Sequence, residues 1–168
     1  MTDSAEGPEI DLIRDSFESA TAKLQFLRIA FGTGGLQPVA LAEMGRLAAD
    51  MRRGTRAAVT WMAEGTAPRG EVRLAFLILL CLERALTGGG HASVGRDDGG
   101  WTLFGESDAL RVEPSLWSML EGTPPPQDLD GGRVQFALVH RAAAALGASV
   151  DVQISDRSIT VRVDHRRS

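Results

Sequence analysis

Near the start of the chain apolar residues recur at spacings of three and four: Ile10, Ile13, Phe17, Ala20, Leu24, Leu27 and Phe31. This is a heptad seam on one long helix, and such a seam is stable only against another helix. Pro8 suits the first helical turn, Glu9 and Asp11 fall at the positive end of the dipole, and the glycine-rich run from Gly32 to Gly35 stops the helix. The nine residues ahead of Ile10 are too few to supply the partner.

A second helix is predicted from about Val39 to Arg53, opened by Pro38 and closed by Gly54, with Leu41, Met44, Leu47, Ala48 and Met51 on one face. Arg56 to Met62 alternates and reads as a strand. Gly70 to Gly90 reads as a helix apolar on most sides, and therefore buried. Two hairpins are predicted, one turning at Asp97 to Gly100, the other at Ser155 to Arg157. In the second, Val150, Val152 and Ile154 face Ile159, Val161 and Val163. Between the hairpins lie a short helix around Pro114 to Leu120 and a long one from about Gly132 to Leu146. Five strands with three sizeable helices predict an α+β fold, a two-layer α/β sandwich on a mixed sheet, with the opening helix outside it. The expected division is a bundle helix in residues 1–35 and a sandwich in residues 36–168.

Composition narrows the function classes. Of the 168 residues 43% are hydrophobic and 24% charged, ordinary for a globular protein. The net charge of −4 and the absence of a basic stripe argue against nucleic acid as a partner. Cys81 is the one cysteine, which excludes an internal disulfide and points to a reducing compartment. The opening residues lack the basic and apolar regions of a signal peptide, and the longest apolar run, Leu74 to Leu82, is less than half the ~20 residues of a membrane span. No membrane association and a cytoplasmic location are expected.

The order of elements resembles the ATP-binding domain of sensor histidine kinases, in which a dimerising helical hairpin precedes the sandwich. Leu36 to Trp61 is similar to the opening helix and strand of that domain, and Gly147 to Val163 to its closing elements. In those kinases an asparagine-rich motif on the buried helix holds Mg²⁺ and phosphates. Here the corresponding turn is Leu80-Cys81-Leu82-Glu83-Arg84, without asparagine. The kinases' adenine-reading Asp and glycines are matched only by Gly105 to Val112, with bulky downstream residues, and their glycine-rich lid only by Asp130-Gly131-Gly132. With all three motifs lost, no ATP, metal or other cofactor is expected.

A kinase-like sandwich without these motifs, behind a helix ending Phe26-Leu27-Arg28-Ile29-Ala30-Phe31-Gly32, is similar to the ChpT-type histidine phosphotransferases of alphaproteobacteria. Those are homodimers in which a hairpin from each subunit builds a four-helix bundle, and they relay phosphate between receiver domains without ATP. The resemblance runs from about Gly7 onward and is most specific over Lys23 to Gly32. In the family the phosphoaccepting histidine lies on the first hairpin helix, in a His-Asp motif followed by Ser-Pro. This chain has no histidine before His91, and its first helix matches the family's second. The resemblance therefore implies a phosphorelay protein lacking its His-bearing helix, with Met1 to Glu6 at the end of that helix or in the hairpin turn. Its implied partners are a second copy, through the seam, and response-regulator receiver domains. The alternative is a non-catalytic dimerisation or receiver-binding module derived from the family.

The relay chemistry needs an exposed imidazole on a rigid helix, attacking an aspartyl phosphate whose Mg²⁺ belongs to the receiver. His140 is the one helical candidate, and a partly exposed surface histidine is the favoured reading of it. His91 opens a strand and His165 lies near the end, so both read as structural or solvated. Cys81 reads as a small buried hydrophobe, Arg84 as a helix-end cation, and Asp97 and Asp98 as turn residues. Lys23, Phe26 and Arg28 lie off the main seam. They form either a receiver contact, where basic groups suit an acidic partner, or a solvated face with a second packing stripe.

Overall fold

The computed structural model describes residues 7–166. Helix α1 spans Pro8–Phe31, with Gly7 at its N-cap and Gly32 at its C-cap. Strand β1, Pro38–Ala40, leads into helix α2, Leu41–Met51. Strands β2 (Ala57–Trp61) and β3 (Thr66–Pro68) precede helix α3, Arg69–Ala85. The first hairpin is β4 (Gly90–Asp97) with β5 (Gly100–Glu106), and helix α4 (Pro114–Trp117) runs on into a 3₁₀ turn, Ser118–Glu121. A 3₁₀ turn at Gly131–Arg133 enters helix α5, Val134–Ala145, and β6 (Ala148–Ile154) with β7 (Ser158–His165) closes the fold.

The main sheet has the order β2-β4-β5-β7-β6. β2 and β4 run parallel, joined across α3, and the remaining pairs are antiparallel, so the sheet is mixed. In the closing hairpin Val150 pairs with Val163, Val152 with Val161 and Ile154 with Ile159. Alternation sets the faces: Val94, Leu103 and Val161 point into the core, while Thr60, Thr102 and Arg162 remain at the surface. α3 is apolar on nearly every side because it touches α1 and α5 as well as the sheet. The α+β sandwich expected from the pattern is the fold observed.

The second helix begins later than expected. Pro38–Ala40 is a strand, antiparallel to Thr66–Pro68, and the helix starts at Leu41, whose N–H donates to the Gly65 carbonyl at 2.9 Å. Proline suits a first helical turn, but the backbone groups around it gain partners from a segment far along the chain, and that pairing prevails.

An aromatic column ties the layers together. Phe26 of α1 stacks on Phe76 of α3 with ring centroids 4.0 Å apart, Phe76 meets Trp61 edge-on at 6.0 Å, and Trp61 meets Trp101 at 5.9 Å. Gly45 of α2 makes room for the column, since a Cβ there would lie 2.4 Å from the Trp61 ring. At its far end the Trp101 indole N–H donates to Glu71 Oε2 at 2.9 Å, and Arg96 Nε donates to the same oxygen at 3.1 Å. Among the described residues no helix is long and apolar enough to cross a membrane.

Candidate functional site

Helix α1 carries two apolar stripes on roughly opposite faces, as its 3.6-residue turn dictates. Ala22, Phe26 and Ala30, each four residues apart, are buried against the sandwich. The heptad seam points the other way: Ile13, Phe17 and Leu24 are about two-thirds exposed or more, at 68%, 72% and 66%. Ile10, Ala20 and Phe31 are also exposed, and only Leu27 packs partly on the core. One face thus anchors the helix and the other presents a bare apolar surface on a rigid rod.

Lys23 and Arg28 project from α1 as exposed cations. Phe26 does not join them: its side chain is fully buried on Phe76, which corrects the expectation that it faces a partner. Its spacing from Ala22 and Ala30 decides its side of the helix. Beside Lys23 a groove of about 740 Å³ opens between α1 and the end of α2, lined by Asp15, Ser16, Ser19, Ala20, Lys23, Arg53 and Gly54. Arg53 crosses it, 2.8 Å from Asp50 and 3.7 Å from Glu18 of α1.

Two of the three segments that the kinase resemblance assigns to nucleotide binding line a second cleft, of about 600 Å³, and the third, Asp130 to Gly132, is tied to it through Arg133. The end of α3 contributes Arg84, the stretch after β5 contributes Leu110 to Glu113, and α4 and α5 supply the apolar floor of Leu116, Trp117 and Phe136. Glu113 lies between two arginines, 3.7 Å from Arg84 and 3.6 Å from Arg133. Arg133 is held in turn 3.7 Å from Asp130, whose side chain accepts the Gly132 N–H at 2.9 Å. A chain of alternating charges therefore bridges α3, the β5–α4 connection and the entry to α5. The role of Glu113 is not legible in the sequence, because Arg84 and Arg133 lie far from it along the chain.

The three histidines are dispersed. His140 is exposed on α5, its ring lying over Gly122, which takes a φ of +113°. His91 Nε2 is 2.6 Å from the Thr60 hydroxyl, and His165 Nε2 is 3.4 Å from Glu71. Asp97 serves its turn by accepting the N–H groups of Gly99 and Gly100. Cys81 is fully buried, and burial pushes its thiol pKa well up, so it stays protonated and inert. Among the described residues no three His, Cys, Asp or Glu side chains are grouped to hold a metal ion.

Known proteins match this architecture. Residues 41–158 match the family of histidine phosphotransferase C-terminal domains. The protein phosphotransferase ChpT of Brucella abortus is 29% identical over 161 residues, covering 90% of this chain and 77% of that protein. A solved bacterial phosphotransferase superposes with a TM-score of 0.79 at 24% identity, covering 96% of this chain and 80% of the other. A blue-light activated histidine kinase from Erythrobacter litoralis shares the fold more distantly, with a TM-score of 0.50 at 19% identity over 92% of this chain and 54% of the kinase. A two-layer sandwich, a charge-bridged cleft and a docked helix with a bare seam accompany these matches, and the chain belongs to the histidine phosphotransferase family of the ChpT type.

Proposed function

We propose that the protein acts in a phosphorelay, passing phosphoryl groups between response-regulator receiver domains in the cytoplasm as a homodimer. The observation that carries this reading is the two-faced α1: one stripe is locked onto the sandwich through Phe26, while the seam from Ile10 to Phe31 is bare and flanked by Lys23 and Arg28. Such a helix is one wall of a bundle, and residues 1–35 serve as the bundle unit of the protein. A second copy covers the seam, with burial of Ile13, Phe17 and Leu24 as the driving force. Lys23 and Arg28 meet the acidic face of a receiver.

The phosphoacceptor is then a histidine on a helix packed against this seam, not His91, His140 or His165. Its imidazole nitrogen takes the phosphoryl group from the receiver's aspartate, the carboxylate leaves, and the receiver's own Mg²⁺ balances the charge. ATP has no part in the cycle. Glu113 places a carboxylate between Arg84 and Arg133, where phosphate oxygens would need those cations, and Arg84 stands where a kinase needs a metal-binding amide.

A second reading, a receiver-binding or dimerising module without phosphotransfer, is favoured by one observation: α1 carries no histidine. One experiment separates the two and tests both. The chain is incubated with a ³²P-phosphorylated receiver domain, alone and with a synthetic helix bearing a His-Asp motif. The relay reading expects a complex with the receiver, and acid-labile label on the added helix only. A complex without label on that helix leaves the module reading, and label on His140 overturns both. Calorimetric binding of ATP at millimolar concentration would overturn the exclusion of nucleotide.

A further inference from the structure

After α2 ends at Met51, the chain turns into β2 through a segment containing Arg52, Arg53 and Arg56. A cleft of about 310 Å³ opens at this turn. All three arginines line it, with small and apolar residues of α2 and β2; none of the described lining residues is a carboxylate, although Arg53 is held 2.8 Å from Asp50.

Arg52 is the unusual member. Its side chain is 4% exposed, and the one carboxylate within 4 Å of it among the described residues, Glu83, is 3.7 Å from Nη1, beyond hydrogen-bond distance. Among the described residues its Nε and Nη2 have no partner at all. Burial lowers its pKa and Glu83 works against that shift, yet a guanidinium remains charged at neutral pH. A buried cation with unanswered donors is costly unless an acceptor comes to it. Thr55 does not serve as that acceptor, because its hydroxyl is spent on the carbonyls of Arg52 and Ala57, which fixes the turn. Arg56 is exposed and makes no ion pair among the described residues, so its fork is available at the rim.

We infer that Arg52, Arg53 and Arg56 form a binding site for a small oxyanion of the phosphate class. Guanidinium forks present paired N–H groups that match two oxygens of such an anion, and several forks around one cleft surround a tetrahedral anion better than a flat carboxylate. The anion enters from the cleft that Arg52 helps to line, flanked by Arg53 and Arg56. Arg53 also lines the groove beside Lys23, so the anion's charge is felt at the edge of the α1 surface.

The test uses inorganic phosphate and the intact protein, with sodium chloride adjusted to hold ionic strength constant. Arginine Nε–Hε resonances are followed by NMR as phosphate is added. A saturable shift of the Arg52 signal is expected, together with a rise in Tm larger than chloride gives. Arg56→Gln, at an exposed position, should keep the fold and weaken phosphate binding by about tenfold or more, the worth of a charge-assisted contact. Arg52→Lys, which keeps the charge and loses the fork, should weaken it further. A shift linear in phosphate without saturation would mean an adventitious ion only and overturn the site, as would equal affinity in Arg56→Gln and the unaltered protein.

Discussion

Phe26 lies almost flat on Phe76, with the two rings 4.0 Å apart and inclined by 13°. With Ala22 and Ala30, this stack packs α1 on the sandwich and fixes which face of the helix is left exposed. Replacing a fully buried phenylalanine with alanine removes its apolar burial and leaves a cavity. Phe26→Ala should cost about 3–5 kcal/mol in chemical denaturation. It should also raise hydrogen exchange in the α1 backbone ahead of any change in β4 to β7. Uniform loss of protection across the sheet would show that the helix is not anchored here.

The opposite face predicts a different outcome. Phe17 is 72% exposed, so Phe17→Glu should leave monomer stability within about 0.5 kcal/mol. Sedimentation should nevertheless show that self-association is lost, because a charge then sits in the middle of the apolar seam. Unchanged association in this variant would place the dimer contact elsewhere.

Lys23 is the chain's one lysine, which makes it a single-site chemical probe. Acylation of its amine, or Lys23→Glu, should slow receiver association and flatten its salt dependence, as expected for a rim charge. Rates equal to those of the unmodified protein would remove Lys23 from the docking surface.

Glu71 accepts from both Trp101 and Arg96 at the far end of the aromatic column. Glu71→Ala leaves the Trp101 indole N–H buried and unanswered, and should cost about 1–3 kcal/mol. Glu71→Gln keeps an acceptor and should recover part of that loss. Equal loss in the two variants, measured by urea denaturation, would show that the indole bond is not what matters.

The buried Cys81 thiol sets a pH dependence. Its folded pKa is raised well above that of a free thiol, so the folded state holds the proton longer than the unfolded chain does. The stability this contributes is complete below the unfolded pKa of about 8.5 and is lost as pH rises from there towards the folded value. The chain has no tyrosine and one lysine, so few other side chains titrate in that window. Denaturation midpoints should fall above about pH 8.5 and fall less in Cys81→Ala. An identical slope in both proteins would contradict the assignment.

Much of this protein is legible in its sequence. Heptad spacing marked α1 and its seam, period-two alternation set the facing pairs of the closing hairpin, and continuous apolarity identified α3 as buried. These are local signals, because helical and strand periods are written within a few residues. The altered nucleotide motifs could likewise be read off single stretches. Tertiary structure decided the rest. α1 has two apolar stripes, and the packing of Ala22, Phe26 and Ala30 on the sandwich decides that Phe26 is anchored while Phe17 is left bare. Pro38 to Ala40 became a strand because Thr66 to Pro68 supplied its hydrogen bonds. Glu113 acquired its role from Arg84 and Arg133, and Arg52 lies beside Glu83 of α3, thirty-one residues away along the chain. In each case a group's environment is made by residues far along the chain, and burial and Coulomb energy depend on distance in space, which no local pattern encodes.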